Sequence, residues 1–536
     1  MSKETYNQFY KKYGANIHLD PERFLAISKL CQGKVLDIGC GTGDLADFYK
    51  GEYVGWDISN IAIKLAQKIK RPNATFQIAD VTLPFDIDDY PFDTIVMAEL
   101  LEHIKDDYQI FKNIERFAKG NARLIISVPN GDRVPDPNHL REFTVPELRK
   151  RFSPYGKVKF HRWSGFEQRI LMTIDLGQKN ENLLSVAMMV KDEEMGLEEA
   201  VLSCIEFTDN IVIAVDNKSQ DKTLETAKRY ADTLKHFDWI DDFAAIRNLV
   251  QEEIKTKWTL ALDGHEYVKK CEGLEEMLKL DFDGLFVQVE MDTEDVFYTN
   301  RIYRSHLRWK NAIHNAISTK RNKKYKEFRI KHNRREGQSK EATQERWEQR
   351  AEMMPRLLKK EIKKNRKNAR PIFYLARWYL GRKKLRKAIK YYKKYLKLQG
   401  PKGERWYVCW EASVAANGLE KHLLALKFLR KAEQEVPNRW ETARHIGLTY
   451  MFFEQWEKAI IFLTDSFKIN TGDFAFMPEQ KDNAETWDLI GFCWFQQKQY
   501  TKAKISWEES IKNDKDEARI KLNKKRIELI DRNLTF

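Results

Sequence analysis

The sequence predicts two successive α/β domains followed by an all-α repeat region, and three observations predict it. Between Lys34 and Pro129, short apolar β-rich runs alternate with helix-forming stretches around a glycine turn. A second alternating set runs from Leu184 to Glu266, where Leu184 to Val190, Ile211 to Val215 and Trp258 to Leu262 each end in acidic or polar residues. Buried parallel strands end this way when their carboxyl ends face a ligand crevice. Beyond about Gly337 the strand signals stop, and Trp, Tyr, Leu and Ala recur at helical spacing.

Composition bounds the rest. A chain of 536 residues suits three or four domains. With 42% hydrophobic residues and no apolar run long enough to span a bilayer, membrane-spanning helices are excluded. The opening MSKETYNQFYKKYG lacks an apolar core followed by small residues, and six cysteines are scattered without a CxxC pair. Both features lead us to expect a cytoplasmic protein with reduced thiols. The net charge of +14 is concentrated between about Lys320 and Lys397, where helical spacing and interleaved aromatics point to solvated helix faces; an acidic partner, nucleic acid included, is the less favoured reading.

In the first domain, KVLDIGCGTGDLADFYKGEYVGWDIS reads as strand, glycine turn, helix and strand. Its spacing Gly39-X-Gly41-X-Gly43 departs from the dinucleotide fingerprint, because Asp44 stands where the last glycine belongs. With Asp37 before it, this stretch resembles motif I of the class I S-adenosylmethionine-dependent methyltransferases. The resemblance implies a Rossmann-like fold and S-adenosylmethionine held by Asp37, Gly39, Gly41, Gly43, Asp57, Asp80 and Glu99. Asp57 would take the ribose hydroxyls, Asp80 the adenine, and Glu99 a place near the methyl donor. His103 reads as a packing position on a helix, whereas His139 precedes a loop that would overhang the acceptor and is a candidate for deprotonating a hydroxyl.

The second domain places Asp263, His265 and Glu266 within four residues of a buried strand, a carboxylate and an imidazole that could share one divalent cation. These residues resemble the family 2 glycosyltransferases of the nucleotide-sugar-binding type A fold, GT-A, with Asp263-Gly264-His265 where those enzymes usually carry Asp-X-Asp. The resemblance implies a UDP- or GDP-sugar donor, Mn2+ or Mg2+ at Asp263, His265 and His314, and an inverting mechanism in which Asp263, His265 and His314 are catalytic. It places Asp192, Glu194, Asp216, Asp221, Asp242, Arg247 and Asp263 around the nucleotide sugar, with Arg247 facing phosphate. Glu294 and Asp295 in MDTED read as a hairpin turn rather than a catalytic pair.

In the last third, Ala388, Ala425, Ala459 and Ala503 recur at steps of 37, 34 and 44 residues, similar to degenerate tetratricopeptide (TPR) repeats. Gly381, Gly418, Gly447 and Gly491 precede those alanines, as close helix pairing would require, and NTGDFAFMPEQKDN reads as an insertion in the longest step. Such an array implies a homodimer contact or a surface for a polypeptide acceptor.

We expect boundaries at 1–178, 183–335 and 337–536, with the helical region removable without loss of either donor site. The function expected is a bifunctional enzyme that glycosylates a glycan, peptide or protein and methylates the glycan or acceptor. The alternatives are a phage-type nucleic-acid base glycosyltransferase and methyltransferase, and a TPR scaffold carrying a degenerate transferase domain.

Overall fold

Runs of buried aliphatic residues build two sheets. The computed structural model describes residues 3–14, 20–83, 91–291, 296–313, 315–333, 353–400, 402–469 and 483–533. The first sheet contains β1 (Val35–Ile38), β2 (Tyr53–Asp57), β3 (Ala74–Ile78), β4 (Phe92–Ala98), β5 (Ala118–Pro129), β6 (Gly156–Phe160) and β7 (Arg169–Leu176). Their order is β3-β2-β1-β4-β5-β7-β6, parallel from β3 to β5, with β7 antiparallel to both of its neighbours. Strand order reverses between β1 and β4, so their carboxyl ends open a crevice of the kind that binds ligands in such sheets. The helix expected after the glycine turn is only a 3-10 turn, Asp44–Asp47, because the chain must bury Leu45 and Ala46 and then return at once to β2.

The second sheet uses β8 (Leu184–Val190), β9 (Asn210–Asp216), β10 (Thr233–Phe237), β11 (Trp258–Ala261), β12 (Glu266–Cys271), β13 (Gly284–Glu290) and β14 (Val296–Arg304). A small pair, β15 (Trp309–Lys310) and β16 (Ala316–Ile317), precedes β17 (Asn322–His332). The order β10-β9-β8-β11-β14-β13-β17-β12 puts parallel β8 to β11 on one side and a mixed set on the other, where β14 runs antiparallel to β11 and β13, β17 parallel to β13, and β12 antiparallel to β17. β13 and β14 pair antiparallel, as the hairpin reading of MDTED requires, although Glu294 and Asp295 lie outside the described residues.

The two sheets are bolted together. Tyr230, fully buried, donates to Glu198 at 2.5 Å and accepts from Asn130 at 3.1 Å. Arg229 donates to the Asn130 carbonyl at 2.8 Å and to Asp132 at 3.0 Å, Arg133 pairs with Glu198 at 2.7 Å, and Arg149 pairs with Asp232 at 3.0 Å. Partly buried charge-assisted bonds of this kind fix geometry better than exposed pairs do.

Helices then pair in sequence: Ala369–Gly381 with Leu385–Tyr395, Lys402–Asn417 with His422–Glu435, Trp440–Met451 with Trp456–Lys468, and Asn483–Gln496 with Tyr500–Asn513. Ala388, Ala425, Ala459 and Ala503 are all fully buried. Five residues before each stands a non-glycine residue in the left-handed region, Lys383, Glu420, Glu454 and Lys498, with φ of 54°, 57°, 56° and 59°. The same turn geometry therefore repeats with the alanines. Most of NTGDFAFMPEQKDN lies outside the described residues. Among the described residues, no helix is long and apolar enough to cross a membrane.

The glycines divide by what a side chain would meet. A Cβ on Gly447 would sit 2.8 Å from Leu463 Cγ and 3.1 Å from the Ala459 carbonyl, whereas one on Gly381 meets nothing within 4 Å. Gly447→Ala is therefore expected to destabilise by about 1 to 3 kcal/mol through overpacking, and Gly381→Ala to be neutral or to stabilise by up to about 1 kcal/mol through helix propensity. Thermal unfolding of the two variants side by side checks the contrast.

Candidate active sites

At the first site, the turn after β1 needs glycine for its backbone. Gly39, Gly41 and Gly43 have φ of 78°, 54° and 78°. A Cβ on Gly43 would lie 2.4 Å from the Phe76 ring, and one on Gly41 would lie 2.7 Å from the Tyr10 hydroxyl. Asp57, at the end of β2, accepts from Gly41 N at 2.9 Å on one oxygen and from Ser59 N at 2.7 Å on the other. Each oxygen keeps a second lone pair, so the carboxylate can still receive hydroxyls. Asp80 accepts from Thr82 N at 3.0 Å and its hydroxyl at 2.6 Å, just past β3. A bare-backbone cradle flanked by acidic strand ends fits the amino acid and ribose ends of S-adenosylmethionine.

Asp37 is buried beneath this turn and accepts from the Tyr53 hydroxyl. Burial pushes its carboxyl up to about 7, against that hydrogen bond. A carboxyl raised in the folded state contributes its stability in full below about pH 4, the unfolded value, and that contribution is lost as pH rises through about 7. Asp37→Asn, which stays neutral and can still accept from Tyr53, is expected to flatten the fall of melting temperature between those limits.

Glu99 ends β4 in the left-handed region, φ 54°, and is held by Ser127 Oγ at 2.9 Å and Arg169 Nε at 3.0 Å, with Arg23 at 3.6 Å. His103 lies in a 3-10 turn, Leu101–His103, and its ring centroid is 5.1 Å from that of His139. His139 lines a cleft of about 710 Å³ with Gly131, Asp132, Pro135, Arg141 and Glu142. The N-terminal helix Lys3–Tyr13 also reaches this site, with Asn7 accepting from Ser59 Oγ at 2.8 Å and Tyr10 buried over Gly41. Sequence reasoning passed over that helix, although aromatics at Tyr6, Phe9, Tyr10 and Tyr13 carry helical spacing.

At the second site, β8, β9 and β11 deliver their acidic ends to one place. Asp192, with φ 50°, accepts from Gln220 N at 2.8 Å, and Glu194 N donates to Asp221 at 2.9 Å. Asp216, buried at the end of β9, accepts from Lys218 N at 2.9 Å. Asp242 caps the helix Phe243–Glu252 by accepting from Ala245 N at 3.0 Å. Asp263 accepts from Arg247 Nη2 at 2.8 Å, and the Arg247 guanidinium lies 4.8 Å from the Trp309 ring centroid. Burial alone would raise the Asp263 carboxyl, but the Arg247 and Arg301 guanidiniums outweigh it and hold the acid well below the usual carboxylate range. Glu266, fully buried, receives Arg301 at 2.5 Å and Asp263 N at 3.0 Å.

His265 bonds to other groups than Asp263. It contacts Glu193 at 3.2 Å through Nδ1 and His332 at 3.1 Å through Nε2. Gly264 between them is required by packing, since a Cβ there would be 2.9 Å from Val190 and 3.1 Å from Glu193. His332 carried no signal in the sequence, being 67 residues away at the end of β17. His314 lies outside the described residues. Among the described residues, the His, Cys and acidic side chains close enough to hold a metal together are Glu102, His103 and His139, in the first site rather than the second.

The helical region also meets the second site. Ile313 is buried in the same core as Leu357 and Leu358, Glu361 accepts from Ala312 N, and Arg356 pairs with Asp241 at 2.6 Å.

Residues 31–184 match the family described as methyltransferase domain, and residues 185–347 match glycosyl transferase family 2. The chain carries a methyltransferase domain and a family 2 glycosyltransferase domain. It is also similar to a TPR repeat-containing protein of Synechococcus elongatus, 34% identical over 83 residues, which are 16% of this chain and 20% of that protein. A ubiquinone biosynthesis O-methyltransferase of Paracidovorax citrulli is 32% identical over 104 residues, 18% of this chain and 44% of that enzyme. The chain thus spans between a fifth and under half of the length of these two curated relatives. Among solved structures, MamA aligns at 15% identity with a TM-score of 0.28, covering 34% of this chain and 99% of that one.

Proposed function

We propose that the chain transfers a sugar from a UDP- or GDP-sugar to a glycan, peptide or protein acceptor and methylates the glycan or acceptor from S-adenosylmethionine. The observation that carries this reading is that each domain has its own set of strand-end polar groups, with no residue shared between the two sets. The proposed boundaries are 1–178, 183–335 and 337–536, the last unit docking the acceptor or a second copy.

In the glycosyl site, the ionised Asp263 and the Arg247 and Arg301 guanidiniums form a charged floor. A divalent cation there would supply positive charge to the departing diphosphate. Arg247, which bonds to Asp263 and lies against Trp309, would hold phosphate oxygens. Asp216 and Asp192 would take the base and ribose, and Asp242 keeps the helix carrying Arg247 in place. Direct attack by an acceptor hydroxyl on the anomeric carbon would invert its configuration.

In the methyl site, S-adenosylmethionine would supply an electrophilic methyl group. Gly39, Gly41 and Gly43 admit its amino acid end, Asp57 accepts its ribose hydroxyls, and Asp80 stands where adenine would lie. The acceptor hydroxyl would enter the cleft beside His139, whose loop the glycosyltransferase domain holds through Arg229 and Tyr230. Incubating the full chain with methyl-labelled S-adenosylmethionine and labelled nucleotide sugars, against glycan and peptide pools, tests the proposal by mass spectrometry. Products gaining both labels support it; absence of sugar incorporation from any UDP or GDP donor would overturn it.

A further inference from the structure

We propose that Glu102, His103 and His139 form a divalent transition-metal site at the mouth of the methyl-acceptor cleft, where the ion binds and polarises an acceptor hydroxyl. This rests on the methyltransferase reading for the use of the ion, but the site itself stands on geometry. One ligand atom from each of the three side chains lies within 4.8 Å of the others. Closing such a set on one ion requires the ~2.0 to 2.2 Å bonds that imidazole and carboxylate make to zinc.

The second observation is Glu102 itself. Its side chain is 1% exposed, and neither carboxylate oxygen receives a hydrogen bond. An acid buried with both oxygens unpartnered carries a desolvation penalty that a bound cation would offset.

The surroundings hold the ligands in place. Leu140 N donates to the Glu102 carbonyl at 2.8 Å and Arg141 donates to the Leu101 carbonyl at 2.8 Å, so the turn bearing Glu102 and His103 is stitched to the loop bearing His139. His103 Nδ1 donates to the Asn138 carbonyl at 3.2 Å, which fixes the tautomer that presents Nε2 as a ligand.

Two imidazoles and one carboxylate suit Zn2+, Mn2+, Fe2+ or Co2+ and leave coordination positions open, and His139 among them lines the cleft. An acceptor hydroxyl bound there would lose its proton to solvent water more readily. Its oxygen would then form the new bond to the methyl carbon as the carbon–sulfur bond of the sulfonium breaks, leaving a neutral thioether. His139 would thus act through the ion rather than as a base.

The test uses the full chain, stripped with chelator and dialysed separately against Zn2+ and Mn2+, with bound metal measured by plasma mass spectrometry. All measurements are made in an Asp263→Ala background, which removes the carboxylate of the glycosyl site; that chain is expected to hold an ion that the added Glu102→Gln or His139→Ala binds more than about tenfold more weakly, a loss that even outer-shell changes can bring. Equal metal content and affinity with and without Glu102→Gln and His139→Ala, or no ion in the Asp263→Ala chain, would overturn the site. Titration of S-adenosylmethionine into the same samples reports on fold and cofactor site, and separates this failure from failure of the methyltransferase reading.

Discussion

Asp263→Ala is expected to slow sugar transfer by roughly a hundredfold or more, the scale of losing one preorganised charge from a diphosphate-leaving site. It should leave methyl transfer to an acceptor that already carries its sugar near the original rate. Asp263 receives Arg247 at 2.8 Å, so its removal frees the guanidinium as well as deleting a carboxylate able to hold a cation. Assaying both transfers in parallel on one protein preparation checks the result. The exchange His265→Asp, which the usual Asp-X-Asp pattern suggests as a restoration, should fail to improve transfer. It would place a second carboxylate where His265, 7% exposed, now meets Glu193 at 3.2 Å.

Asp57→Ala is expected to weaken S-adenosylmethionine binding by about 2 to 4 kcal/mol through two lost charge-assisted bonds to the ribose. The same substitution releases Gly41 N and Ser59 N, both of which Asp57 now holds, so the glycine turn loosens together with the ribose contact. Asp57→Asn should also bind poorly, because one of its two positions becomes an amide donor facing a backbone N–H. Calorimetric titration reads the affinity, and unchanged binding by a folded Asp57→Ala chain would contradict the assignment.

Local chemistry made much of the fold legible. The runs at Leu184, Ile211 and Trp258 became β8, β9 and β11 because continuous aliphatic stretches ending in acids have few other places to go in an α/β domain. Gly39, Gly41 and Gly43 were readable because glycines at that spacing after a strand mark a turn in the left-handed region, which other residues adopt only with strain. The repeating alanines were readable because helix pairs leave no room for more.

What stayed hidden depends on distant partners. Nothing near Asp263 in the sequence shows that Arg247 occupies it, nor near His265 that Glu193 and His332 do, since the sheets bring those together across long separations. Glu102 carries no signal of its own in the sequence, since its burial without hydrogen bonds depends on the fold. Nor does the sequence show that residues 312 and 313 join the helical region, where Ile313 packs within its core and Glu361 holds the Ala312 backbone. Cutting it away would uncover an apolar side chain beside the late part of the glycosyl site.

The central claim is that two donor sites operate independently on one chain. Titrating S-adenosylmethionine, UDP and GDP separately into the wild type, Asp57→Ala and Asp263→Ala tests it most directly. The account predicts that the wild type binds S-adenosylmethionine and a nucleoside diphosphate, that Asp57→Ala loses only the former, and that Asp263→Ala weakens only the latter. Loss of both ligands in either folded variant, or failure of the wild type to bind either nucleotide, would contradict it.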